Sequence, residues 1–125
     1  MILDTNALSA LIDGDPAIEG VLREATNVKL NVISLGEYRF GLLQSRHRTE
    51  YETRLSRLER DIETLSVDPE TAVLYALVRY ELKGQGQPIP YHDIWIAAIA
   101  RQHGLPVLSR DTHFDAPQGI QRVPW

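Results

Sequence analysis

The opening six residues, Met1-Ile2-Leu3-Asp4-Thr5-Asn6, restrict this chain more than any other stretch. Three apolar residues read as a short buried strand that stops at a carboxylate, and the run Ala7, Leu8, Leu11, Ile12 then has helical spacing. A strand ending in an acid just before a helix places that acid at the carboxyl edge of a sheet, where open α/β sheets form their ligand crevices. Asp4 has a second use there, as the N-cap of the helix that follows. What separates the two uses is whether other acids reach the same edge.

The rest of the chain alternates strand and helix. Asn6 to Ile12 and Ala17 to Ala25 read as short helices separated by Asp13-Gly14-Asp15-Pro16, and Val28 to Ile33 as the second strand. Ser34 is expected to open the next helix, with Ser34-Leu35-Gly36-Glu37 forming a capping box. That helix and the charged segment from His47 to Arg60 are expected to form a hairpin. Ile62 to Val67 is the third strand, Glu70 to Leu82 a buried helix, and the Gly- and Pro-rich segment from Gly84 to Pro90 a loop. Asp93 to Ala100 is the most apolar helix, Gly104 closes it, Pro106 to Ser109 is the fourth strand, and Ile120 to Val123 a short last one. This order predicts an α/β fold in one domain over residues 1–125: a three-layer sandwich with a central, mostly parallel sheet of four to five strands and helices on both faces.

On that sheet the acids converge. Asp111 follows strand four by two residues, and Glu37 lies in the first turn of the helix after strand two. Asp93 opens a helix that leads into strand four, so its end of the helix lies on the same edge. Asp4, Glu37, Asp93 and Asp111 therefore meet if strands one and four are the inner pair. Asp115 competes with Asp111 for the fourth place, and Asp111 is preferred because it is nearer the strand end. Each acid has a structural use as a cap or turn residue. Four of them together repel one another unless a cation neutralises them. With oxygen donors only, no cysteine and no His pair at ligand spacing, the expected ion is Mg²⁺ or Mn²⁺. His92 reads as a helix-start or loop residue.

The absence of cysteine also excludes a disulfide framework and a thiolate zinc site, and suits a reducing cytoplasm. No secretory signal or membrane span is expected, because Asp4 interrupts the apolar start and no apolar run has the needed length. The net charge of −4 argues against binding nucleic acid through a bulk positive field, but not against an enzyme that acts on phosphates. Arginines concentrate between Arg39 and Arg60, a surface suited to RNA, to an acidic protein, or merely to salt bridges along a solvated helix.

The strand-end Asp4-Thr5-Asn6, the Ser34-x-x-Glu37 helix start, Asp93-Ile94-Trp95-Ile96-Ala97-Ala98 and Leu108-Ser109-Arg110-Asp111 together resemble the four motifs of PIN-domain nucleases, and their spacing resembles VapC-type toxins. The specificity lies in the order and spacing of all four, which cover nearly the whole chain. The resemblance implies a Mg²⁺-dependent endoribonuclease silenced by a cognate antitoxin. It assigns Asp4, Glu37, Asp93 and Asp111 as the catalytic acids, with Asp4, Asp93 and Asp111 on the metal. Thr5, Asn6, Ser34 and Ser109 are supporting residues that orient them. Arg110 contacts a flanking phosphate or has a surface role. The family's fourth position varies between Asp and Asn, and strand one is unusually short here. Two competing enzyme classes fit less well. A haloacid-dehalogenase-type phosphatase needs a second carboxylate where Asn6 stands, and a phosphoreceiver domain needs a Lys after a late strand. A PIN-like module that only binds protein would have no reason to keep repelling carboxylates together.

The expected partners are RNA, an antitoxin and a second copy of the chain in a homodimer. The hairpin carries Tyr38, Phe40, Leu42, Leu43, Tyr51, Leu55 and Leu58, more apolar surface than two peripheral helices bury on a small sheet, ringed by Arg39, Arg46, Arg48, Arg54 and Arg57. It suits an amphipathic helix with acidic flanks. The alternative uses of Tyr51, Leu55 and Leu58 are internal core or the contact of a homodimer.

Overall fold

The computed structural model describes residues 1–125. Five very short strands, β1 (Ile2–Leu3), β2 (Leu30–Asn31), β3 (Thr64–Leu65), β4 (Val107–Leu108) and β5 (Arg122–Val123), lie parallel. β4 pairs with β1 and β5, β2 pairs with β3, and a parallel bridge between Ile2 and Lys29 joins the two groups into the order β3-β2-β1-β4-β5. β1 and β4 are therefore inner neighbours, the arrangement that convergence of the acids requires.

Two-residue strands fill two cores because adjacent side chains point to opposite faces. Ile2 and its register partner Val107 face α5 (Pro69–Gly84) and α6 (Tyr91–His103), and pack with Val78, Leu82, Ile96, Ile99 and Phe114. Leu3 and its partner Leu108 face the other layer. That layer comprises α1 (Thr5–Asp13), α2 (Pro16–Glu24), α3 (Val32–Leu43) and α4 (Arg48–Asp61). No helix is long and apolar enough to cross a membrane.

Two local expectations are corrected. The second strand does not run to Ile33; it ends at Asn31, and α3 begins at Val32. Asn31 has extended backbone and its Oδ1 accepts from the Ser34 N–H at 2.8 Å, so Asn31 is the N-cap and Ser34 already lies inside the first turn. There is accordingly no Ser34–Glu37 capping box. A capping box does form on α5, between Asp68 and Thr71. Gly104 ends α6 at a φ of 62°, a left-handed conformation that glycine adopts without the Cβ clash other residues meet.

The hairpin divides its apolar residues. Leu55 is wholly buried, Leu42 is nearly so, and Tyr38, Tyr51 and Leu58 lie partly packed against the same core. Phe40 and Leu43 remain 63% and 61% exposed. Its arginines are largely engaged: Arg39 with Glu59, Arg48 with Glu52, and Arg54 with Glu50 and the Ile12 carbonyl.

Candidate metal centre

At the carboxyl edge of β1 the chain must leave the sheet and enter α1. Asp4 makes that turn: its Oδ1 accepts from the Ala7 N–H at 2.7 Å, and its Oδ2 accepts from the Ser109 hydroxyl. The cap and the site are thus the same carboxylate, with one oxygen serving α1. Ser109 follows β4 in register with Asp4 after β1, and its Oγ also accepts from the Asp111 N–H at 2.9 Å. One hydroxyl therefore orients two acids.

Asp93 arrives from the first turn of α6, and Asp111 from the N-cap of a 3₁₀ turn, Thr112–Asp115, where its Oδ1 accepts from the His113 N–H at 2.9 Å. A cleft of ≈ 210 Å³ is lined by Asp4, Thr5, Asn6, Glu37, Pro90, His92, Asp93 and Asp111. The lining contains no lysine or arginine and no hydrophobic residue.

Asp4 and Asp93 are only 4% and 7% exposed. Burial pushes the Asp4 carboxyl above the ordinary aspartate value; the hydrogen bonds from Ser109 and Ala7 oppose this, and the charges of Asp93 and Asp111 add to it. Burial likewise raises Asp93, opposed chiefly by the hydrogen bond from His113. Glu37 is solvent-exposed at the cleft rim and makes no hydrogen bond or ion pair.

The supporting residues are placed differently from one another. Ser34 does not touch the carboxylates: its hydroxyl donates to the Leu3 carbonyl at 3.0 Å, beside the Asn31 amide, which donates to the same oxygen at 2.8 Å. It braces the end of β1. Thr5 lines the cleft, with Oγ1 shielded from solvent and without a partner. Asn6 lines the same cleft and is exposed. Arg110 is turned away, its guanidinium over the Trp125 ring at 4.6 Å and its Nε donating to the Trp125 carbonyl. Asp115 is held by both ends of the Arg122 guanidinium, at 2.8 and 3.1 Å, and does not line the cleft. Of the two candidates for the fourth acid, Asp111 is the one in the cleft.

Sequence reasoning missed His113. Its Nδ1 lies 3.2 Å from Asp93 Oδ2 and 3.1 Å from Asp111 Oδ2. The available signal was a histidine two residues beyond a strand-end acid and next to a lone aromatic, Phe114, which is fully buried and pins the turn.

The donor set fits a divalent cation. Four carboxylates line one small polar cleft, two of them buried where charge is costly, and an unpartnered hydroxyl stands among them. Ligand atoms of Asp93, Asp111 and His113 all lie within 4.8 Å of one another.

The sequence matches the model of the PIN domain over residues 1–119. It is 34% identical to ribonuclease VapC5 of Mycobacterium tuberculosis over 124 residues, covering 98% of this chain and 90% of that protein. Among solved structures, VapBC-5 of Mycobacterium tuberculosis, described as a member of the VapBC family of toxin-antitoxin systems, superposes with a TM-score of 0.77 at 29% identity, covering 99% of this chain and 97% of the other. VapBC2 from Rickettsia felis, bound to a DNA fragment from its promoter, superposes with a TM-score of 0.90 at 19% identity over 99% and 97% of the two chains, a likeness of fold.

Proposed function

The chain belongs to the PIN-domain family, in its VapC-type branch, and from that premise and the cleft we propose that it is a divalent-cation-dependent endoribonuclease, the toxin of a toxin-antitoxin pair. The observation that carries the reading is the convergence of Asp4, Asp93 and Asp111 in a cleft whose lining holds no lysine or arginine to neutralise them. The cleft carboxylates repel an RNA phosphate until a cation is bound. The similar ribonuclease VapC5 and the VapBC-5 toxin-antitoxin structure support the substrate class and the partner.

Asp4, Asp93 and Asp111 would hold Mg²⁺ or Mn²⁺. Such an ion polarises a phosphoryl oxygen and lowers the pKa of a bound water. Ser109 and the Ala7 amide fix the Asp4 carboxylate, so its orientation is set before substrate arrives. Asn6, exposed at the cleft, offers its amide to a phosphate oxygen. Glu37, unpaired at the rim, orients the attacking water and takes its proton. Water oxygen bonds to phosphorus as the ester bond breaks, and the departing oxygen is protonated from solvent; no protein nucleophile takes part.

The antitoxin surface on this reading is the hairpin face where exposed Phe40 and Leu43 flank a groove of ≈ 420 Å³ with Gly36, Arg39, Arg48 and Glu52. A homodimer contact falls instead on α5, where Val73, Leu77 and Tyr80 form an exposed stripe at helical spacing. Tyr51, Leu55 and Leu58 belong to the core.

The deciding experiment is RNA cleavage by purified protein, with circular dichroism as the folding control. Asp4→Asn and Asp93→Asn are expected to reduce cleavage by about 10²-fold or more, as is EDTA. Wild-type rates from a folded Asp4→Asn protein, or undiminished cleavage in EDTA, would overturn the reading.

A further inference from the structure

His113 lies against two of the cleft acids, and the proposed hydrolysis gives it no task. Its Nδ1 sits between two carboxylate oxygens of different elements, Asp93 Oδ2 on α6 and Asp111 Oδ2 at the start of the 3₁₀ turn, at 3.2 and 3.1 Å. One ring nitrogen carries at most one proton, so it donates to one of these oxygens well and to both only poorly. The same spacing has a second meaning. Two ligands at right angles around one ion, each bonded at about 2.2 Å, are separated by about 3.1 Å. Both nitrogen-to-oxygen separations match that edge.

We propose that His113 is a direct ligand of the catalytic cation. With its proton on Nε2, the Nδ1 lone pair joins Asp93 Oδ2 and Asp111 Oδ2 as one face of the coordination shell, and the mixed set prefers Mn²⁺ or a neighbouring transition ion to Mg²⁺. The chemical reason is ligand type. Mg²⁺ is a hard ion that takes oxygen donors and keeps its waters, whereas imidazole is a good ligand for first-row transition ions. The position is also prepared. Phe114 is wholly buried beside His113, Asp111 accepts the His113 N–H, and Arg122 grips Asp115 at the far end of the turn. His92 is the other imidazole at the cleft. Its Nε2 lies 3.4 Å from Asp93 Oδ1, the opposite oxygen of that carboxylate, and has no second acid beside it. The inference rests on the reading of this cleft as a cation site, so its test must fail separately from that reading.

The test loads the whole purified protein with Mn²⁺ and reads the metal itself. Electron spin-echo envelope modulation detects a directly bound imidazole nitrogen, and continuous-wave EPR counts free Mn²⁺ during titration and during competition with Mg²⁺. In wild type the nitrogen modulation is expected, with Mn²⁺ bound about tenfold or more tighter than Mg²⁺. His113→Gln, at a side chain that is 40% exposed, is expected to fold normally. It should lose the nitrogen signal and bind Mn²⁺ about tenfold or more weakly, while Mg²⁺ affinity changes less than about threefold. His92→Gln should keep the signal. No nitrogen signal in wild type, a signal that survives in His113→Gln, a signal lost in His92→Gln, or equal loss of both ions would each overturn the assignment. RNA cleavage by the Mn²⁺-loaded wild type is measured on the same sample. A nitrogen signal without cleavage sinks the nuclease reading and keeps the ligand; cleavage without a signal does the reverse.

Discussion

Asn31 is wholly buried and holds three parts of the molecule together. Its Oδ1 caps α3 at the Ser34 N–H, its Nδ2 donates to the Leu3 carbonyl at 2.8 Å, and the same Nδ2 lies 3.1 Å from Ser34 Oγ. The helix it starts carries Glu37, and the carbonyl it holds precedes Asp4. Asn31→Ala removes the cap and leaves the buried Ser34 N–H without an acceptor. The Leu3 carbonyl keeps the Ser34 hydroxyl, so it is not orphaned. The Ser34 donor left unsatisfied by loss of the cap costs about 1–3 kcal/mol and the lost bond to the Leu3 carbonyl about 1 kcal/mol, giving roughly 2–4 kcal/mol in all. For a chain of this size that corresponds to a fall in Tm of roughly 6–20 °C. Ser34→Ala keeps the cap and loses the hydroxyl's bonds to the Leu3 carbonyl and the Asn31 amide, which still bond each other, so the cost is about 1 kcal/mol. Glu37→Gln touches no hydrogen bond and should leave Tm unchanged while abolishing cleavage.

Thermal unfolding followed by circular dichroism in excess EDTA ranks the three without contribution from bound ions. The expected order of destabilisation is Asn31→Ala, then Ser34→Ala, then Glu37→Gln. A capping box at Ser34 and Glu37 predicts the opposite, with Ser34→Ala the most harmful and Asn31→Ala nearly silent, and that result would refute the argument. Asn31→Asp separates the two roles of the amide. It keeps an acceptor for Ser34 but turns the donor facing Leu3 into a second acceptor, so it should not rescue stability. If it melts with wild type, the bond to the Leu3 carbonyl contributes nothing.

Further expectations concern pH, the partner and the end of α6. Burial raises Asp4 and Asp93 above the ordinary value of 3.8, so the folded state binds these protons more tightly than the unfolded chain. Their stabilising contribution is full below the ordinary value and is lost as pH rises through the raised values, so the pair gives the metal-free protein a downward slope of Tm with pH across that range. Asp4→Asn should shrink that slope, and added Mn²⁺ should restore Tm at pH 7; a slope unchanged by Asp4→Asn would count against the shift. Charge reversal at Arg46 and Arg48, or Phe40→Ser with Leu43→Ser, should weaken inhibition in an antitoxin titration and leave cleavage by the free protein intact. An unchanged inhibition curve would place the contact elsewhere. Gly104→Ala puts a Cβ on a residue at φ 62° and should cost about 1 kcal/mol by chemical denaturation, with little effect on cleavage.

How much of this was legible follows from what each inference used. Asp4, Asp93 and Asp111 were found by position relative to strands and helix starts, quantities that periodicity reveals even where a strand is only two residues long. The start of α3 was misread because Val32 and Ile33 are β-branched and extend an apolar run; the cap at Asn31 overrides that preference once its amide also satisfies Leu3. Apolar content alone could not say that Leu55 would enter the core while Phe40 and Leu43 stayed outside, because the rotation of each helix about its axis is set by packing. His113 was illegible for a related reason: its direction depends on how the 3₁₀ turn is pinned by Phe114.

The register of β1 against β4 ties the legible part to the rest. Ile2 opposes Val107 and Leu3 opposes Leu108, so the next residue on each strand end, Asp4 and Ser109, meet with the hydroxyl donating to the carboxylate. A slip of one residue would exchange the faces of the apolar pairs and bury the wrong side chains in both cores. It would also carry Ser109 away from Asp4 and move Asp111 and His113 with it. The alternation that fills the two cores is thus the same constraint that assembles the cleft. Small apolar substitutions at Val107 or Leu108 are then best read by their effect on cation affinity as well as on Tm, because the backbone that they hold in register is the one that aims the cleft carboxylates.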